Sequence, residues 1–190
     1  MAKNCTNLQQ SLGWCQGTPV MPGIKSRVYY ISKDKIVKWP SLPTDENGRV
    51  TDAKYEGSFE LAADASWKFI ACIASKSQLK SDPQGELPSQ TQKNDLTLVH
   101  PGVGAEATAA AAYLNNCDNV FIIEDMTGKY RVVGSPYYEG TTTVAQDNGQ
   151  GATGTASTTI TVSATDIVPA PFYSGTIVTE DGTINEPVAG

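Results

Sequence analysis

Between Gly85 and Ser135 the chain sets out a strand, one alanine-rich helix and a tight hairpin in compact order: GELPSQTQKNDLTLVHPGVGAEATAAAAYLNNCDNVFIIEDMTGKYRVVGS. Thr91 to Val99 reads as a strand turned by Pro101-Gly102. Ala105 to Leu114 is rich in alanine, the best helix former, and Glu106 near its start suits the helix dipole. Asn115-Asn116 can end that helix. Val120 to Glu124 and Lys129 to Val133 then make a hairpin around Asp125-Met126-Thr127-Gly128. The block offers little for catalysis. The protein's one histidine, His100, lies in it, directly before Pro101.

The flanking sequence extends the β pattern. Arg27 to Ser32 and Lys35 to Trp39 are strand-like, and Pro40 closes the second. Tyr55, Gly57, Phe59 and Leu61 alternate with Glu56, Ser58 and Glu60, the period of a half-buried strand. Trp67, Phe69, Ala71 and Ile73 repeat the pattern over Ser66 to Ser75; a short helix is the alternative there, and the alternation favours a strand. Ser81 to Gln90 reads as a loop. Thr141 to Ala145, Ser157 to Ala164 and Phe172 to Val178 are further strands, and Asp181-Gly182 a turn. The expected fold is mainly β: an antiparallel β-sandwich or barrel of seven to nine short strands with one principal flanking α-helix near residues 104–115. At 190 residues the chain suits one domain. Residues 1–24 read as an irregular arm, 25–178 as a single β domain and 179–190 as a C-terminal tail. Residues 40–54, with Pro40, Pro43 and Asn47-Gly48, are expected to protrude.

Charge is unevenly laid out. Residues 1–40 hold six Lys or Arg against one acid, while no Lys or Arg follows Arg131. An acidic body with a basic N-terminal segment lacks the basic face of a DNA binder. It suits self-association, the basic part of one copy meeting the acidic body of another; a solvated surface is the plainer alternative. No segment is long and apolar enough to span a membrane, and the N-terminus lacks a hydrophobic signal region, so synthesis in the cytoplasm without export is expected. Cys5, Cys15, Cys72 and Cys117 lack the close-spaced pairs of a zinc site. Cys5 and Cys15 can pair in an oxidising setting; free thiols in a reducing compartment are the favoured reading.

Several patterns invite chemistry and fail on context. Gly149, Gly151 and Gly154 fit GxGxxG, yet a β-branched run follows where a dinucleotide site needs a helix. Asp45, Asn47 and Gly48 resemble part of a calcium loop, but the glycine is misplaced and no closing Glu follows. His100 has no neighbouring nucleophile in sequence, and a structural or surface role is favoured. Glu124 and Asp125 are adjacent, so a strand sends them to opposite faces. Tyr29, Tyr30, Tyr137 and Tyr138 suit sugar stacking or, more simply, half-buried strand positions. The expectation is no enzyme, with no catalytic, cofactor or metal residue.

The order QGELPSQTQKN, LTLVHPG, AAAAYLNN, VFIIEDMTGKYRVVGS, with TTITVSATDIVPAPFYSG later, resembles structural proteins of phages and prophages of Bacteroides-type bacteria, and more narrowly the tail tube class of long-tailed phages. The resemblance spans roughly residues 55–175. It implies a β-sandwich or barrel flanked by one helix, in hexameric rings that stack into a tube, with residues 40–54 as the loop that meets the neighbouring ring. It implies as partners other copies of the chain and other tail proteins, with DNA passing through without sequence-specific binding, no membrane anchor, and a place in the virion. The resemblance brings no catalytic residue with it. The N-terminal arm has no counterpart in that pattern and leaves room for another virion role: a carbohydrate- or host-surface-binding module, or a head-completion or tail-terminator component.

Overall fold

The computed structural model describes residues 8–185. In chain order the strands are β1 (Ile24–Ser32), β2 (Ile36–Lys38), β3 (Glu60–Leu61), β4 (Lys68–Ala71), β5 (Gln78–Gln84) and β6 (Thr91–Pro101). The helix α1 (Ala105–Leu114) follows, then β7 (Asn119–Asp125), β8 (Tyr130–Val133), β9 (Thr141–Asp147), β10 (Ser157–Asp166), β11 (Phe172–Tyr173), β12 (Ile177–Thr179) and β13 (Gly182–Ile184). The helix lies where its alanines placed it, and the β7–β8 hairpin turns on Asp125, whose side chain accepts the Thr127 and Lys129 amides.

Two antiparallel sheets face one another. One has the order β11-β8-β7-β1-β4 and the other β5-β6-β10-β9. Neither closes on itself, so the architecture is a sandwich and the barrel alternative falls away. In β10, Ile160, Val162 and Ala164 point inward while Thr159, Thr161 and Ser163 face out, the alternation of a sheet with one wet face. Val28, Phe121, Ile123 and Val133 meet them from the first sheet, with Leu96 and Leu98 from β6.

The first sheet is buried on both faces. Along β7, Asn119 to Ile123 are all buried, which explains the unbroken apolar run VFII. Its outer face carries Tyr29, Ile31, Val120, Ile122 and Val132. An irregular cover from residues 36–67 and 172–184 closes this face, with Tyr55, Phe59, Trp67 and Tyr173 as its largest members. Phe59 is the hub: its ring centroid lies 5.2 Å from Trp39, 5.3 Å from Trp67 and 5.1 Å from Tyr173.

This second core accounts for most departures from the sequence reading. Tyr55 and Phe59 are buried as the alternation required, but only Glu60–Leu61 forms a strand, because Gly57 adopts φ +86° and breaks the ladder. Trp67 and Phe69 do not share an environment. Trp67 is fully buried under the cover, joined to Val178 through its amide, while Phe69 sits on the sheet edge and is 46% exposed. The expected loop at 81–90 begins as strand β5, paired with β6. Residues 179–184, expected as tail, belong to the β12–β13 hairpin, and Ile184 packs on the second core. Residues 40–54 form an irregular hairpin pinned by Ser41–Glu56 and Thr44–Val50 bridges, and Leu42 packs on the cover. The tip around Asp45–Arg49 places no side chain in that core.

Candidate functional site

The residues singled out in the sequence are scattered and employed structurally. Nδ1 of His100 lies 2.8 Å from the Ala71 carbonyl oxygen, tying β6 to the edge of the opposite sheet. Because a carbonyl only accepts, Nδ1 carries the hydrogen. Glu124 pairs with Lys25 at 2.5 Å. Partial burial pushes the Asp125 carboxyl up, but hydrogen bonds from Thr127 and Lys129 and the Arg131 charge outweigh it and hold the group below its usual range. Asp45 accepts the Arg49 and Asn47 amides and pairs with the Arg49 guanidinium at 2.6 Å. Those bonds, the Arg49 amide foremost, lower its pKa. They also occupy the oxygens that a calcium loop would turn to the ion.

The loop of Gly149, Gly151 and Gly154 leads into β10, so no helix N-terminus stands ready for a pyrophosphate. Its glycines have another cause. A Cβ on Gly154 would lie 2.3 Å from the Gln150 nitrogen, so the loop folds back on itself more closely than any side chain permits. The four tyrosines do not form one platform. Tyr29 lies in the second core, Tyr30 stacks on Phe121 at 6.0 Å from the opposite face, and Tyr137 and Tyr138 are exposed in the loop before β9. Among the described cysteines, Cys72 is buried, its thiol pushed up by burial, while Cys15 and Cys117 are exposed and free. The Cys5–Cys15 pairing lies outside the described residues. Among those residues no three His, Cys, Asp or Glu converge on one point.

The basic N-terminal segment is engaged within its own chain. Lys33 reaches Asp118 at 3.3 Å, Lys35 reaches Asp34 at 3.2 Å and Lys38 reaches Glu60 at 2.7 Å. The Arg27 guanidinium lies 4.3 Å over the Phe69 ring. A charge-driven contact between copies would therefore first have to compete with these pairs.

Two features remain. The first is a groove of about 300 Å³ between α1 and the sheet edges. Tyr30, Ile70, Ala110, Ala111, Leu114 and Ile160 line it, with His100, Glu106 and Thr158 as polar members. The helix is tied to the edge strand β9 by specific bonds: Asn115 Oδ1 accepts the Val144 amide at 2.7 Å, and Thr108 donates to Gln146 at 3.2 Å. Its alanines leave the space between helix and strand unfilled. The sequence carried that signal, as alanines three and four apart on one helix, but propensity accounts for them equally well.

The second is Asp166, which is 1% exposed, with Oδ1 accepting the Ile167 amide and Oδ2 unpartnered. Burial raises its pKa to about 6. The period of β10 already points it inward, in step with Ile160, Val162 and Ala164. The groove and Asp166 both lack the nucleophile, paired acid and base, or ligand set of an active site.

No protein-family model, curated protein or solved structure matches the chain. No helix among the described residues is long and apolar enough to cross a membrane.

Proposed function

We propose that the protein is a non-enzymatic virion subunit, a phage tail tube protein that assembles into stacked rings around a conduit for DNA. The motif order from Gln84 to Ser135 supplies the family. The observation that carries the reading is architectural: an open antiparallel sandwich with one flanking helix, which is what that family calls for. Two further features support it. Strands β4, β5 and β9 end their sheets with no strand beyond them, and strand pairing between copies would satisfy the edge groups that His100 and Asn115 do not already take. The net charge of −6 suits a wall along which phosphates slide rather than bind.

A second reading, a carbohydrate- or host-surface-binding virion module, draws on Tyr137 and Tyr138, exposed at 68% and 48% on one loop. Sedimentation over a concentration series separates the two. The tube reading expects species that grow with concentration. A chain that stays monomeric throughout and is retained by an immobilised glycan supports the module instead.

A further inference from the structure

Residues 8–22, LQQSLGWCQGTPVMP, contain no charged side chain. They form no strand or helix, and they lie off the sandwich. Leu12 is 99% exposed, Trp14 69%, Val20 74% and Met21 58%. Gln, Gly and Pro separate these large apolar groups, and a turn at Gln16-Gly17, closed by the Thr18 amide on the Cys15 carbonyl, places Trp14 just before it. The body does not need them, since both cores are complete from Ile24 onward. The arm leaves the body at Gly23, whose carbonyl accepts the Met126 amide at the β7–β8 turn.

The groove beside α1 is the matching feature on the body. It is predominantly apolar, and its volume of about 300 Å³ is at the lower bound of the roughly 300–1,000 Å³ that small-ligand pockets occupy. That suits one or two large side chains. It is open along β4, which ends its sheet, although His100 takes the Ala71 carbonyl and the Trp67 amide just before the strand is bonded to Val178, so the contact would be made by side chains in the groove. An uncharged segment that holds Leu12, Trp14, Val20 and Met21 in water matches such a site in polarity.

We infer that the N-terminal arm of one copy docks in the groove between α1 and β4 of a second copy, with Trp14 as its anchor. The inference rests on the reading of the protein as a self-assembling subunit and names the contact that links its copies. It also sets the arm, which has no charges, in place of the basic segment as the linking element.

Sedimentation of the full chain, of Trp14→Glu and of Ala110→Glu over one concentration series tests it. Circular dichroism checks that each variant remains folded. Both variants are expected to weaken association tenfold or more. A synthetic peptide of residues 8–22 in excess is expected to dissociate the unmodified chain, which keeps the test open if Ala110→Glu does not fold. Association is expected to persist as salt rises, since no charge is involved. Association unchanged in Trp14→Glu and indifferent to the peptide overturns the inference. So does a monomer whose Trp14 fluorescence is already that of a buried indole, because the arm then docks on its own body. The two readings fail separately. Tubes that form without the arm leave the tube reading standing alone, and arm-dependent dimers that never form tubes leave the arm contact standing alone.

Discussion

His100 bonds the Ala71 carbonyl from the opposite sheet, and so the chain's one histidine works as a strap. The bond holds the end of β4 near β6, where the Ile73 amide also donates to the Val99 carbonyl at 2.7 Å. Together they join the end of β4 to β6 beside the groove that His100 and Ala71 line.

Replacing His100 with alanine is therefore expected to cost about 0.5–1.5 kcal/mol, the net worth of one hydrogen bond. Denaturant unfolding measures it. Hydrogen exchange should rise locally around residues 69–73 while the β7–β8 hairpin stays protected. A loss well above that range would mean that His100 supports more than the β4 edge.

Asp166 gives the fold a pH dependence with a defined sign. Its folded pKa of about 6 exceeds the ordinary aspartate value of 3.8, so the folded state holds the proton more tightly than the unfolded chain. The stability this provides is present at low pH and is lost as pH rises through the window between those values. Tyr55 senses its charge and is held well above the usual tyrosine range, chiefly by its own burial and then by Asp166. Asp166→Asn removes the ionisation. The variant is expected to gain on the order of 1–3 kcal/mol near pH 8 and close to nothing near pH 4. Urea unfolding at both values reads this directly, and a variant less stable than the parent near pH 8 would contradict it.

Phe59→Ala is expected to cost about 3–5 kcal/mol, the range for a buried aromatic. Its ring packs with four other aromatics in the cover, Trp39, Tyr55, Trp67 and Tyr173, and its amide donates to the Tyr173 hydroxyl at 3.2 Å. Trp67 should shift toward the emission of an exposed indole. The sandwich core between the sheets shares no buried side chain with that cluster, so amides of β6 and β10 should remain the slowest to exchange. Equal loss of protection in both layers would show that the cover and the sandwich fold as one unit.

The 40–54 hairpin divides at Leu42. Shortening the tip to remove residues 45–49 takes away the Asp45–Arg49 pair and no core side chain, so thermal unfolding should move little. Removing Leu42 as well strips the cover and should lower the melting temperature clearly. In the tube reading the tip variant folds but stacks less well. Wild-type stacking by that variant would free the hairpin from any role between rings.

Much of this was legible in the chain, and the reasons are local. Alanine propensity placed α1 to the residue, and the Asp125–Gly128 turn placed β7 and β8. The two-residue period of β10 named its inward side chains. What escaped was set by long-range packing. Nothing local reveals that β7 is covered on both faces, or that Tyr55, Phe59 and Trp67 converge with Tyr173 from more than a hundred residues away. Trp67 and Phe69 looked equivalent in the alternation, and only the sheet edge separates them. The charge asymmetry was plain in the sequence, but its in-chain partners Asp118, Glu60 and Glu124 were not. The groove escaped because alanine is both a good helix former and a small side chain.

The central claim is that this chain acts by assembling with itself. Negative-stain electron microscopy of the purified full-length protein at high concentration tests it most directly. The account expects rings, and stacks of rings, with a central opening wide enough for duplex DNA. A field of uniform single particles of monomer size, at every concentration and in sedimentation of the same samples, would contradict it.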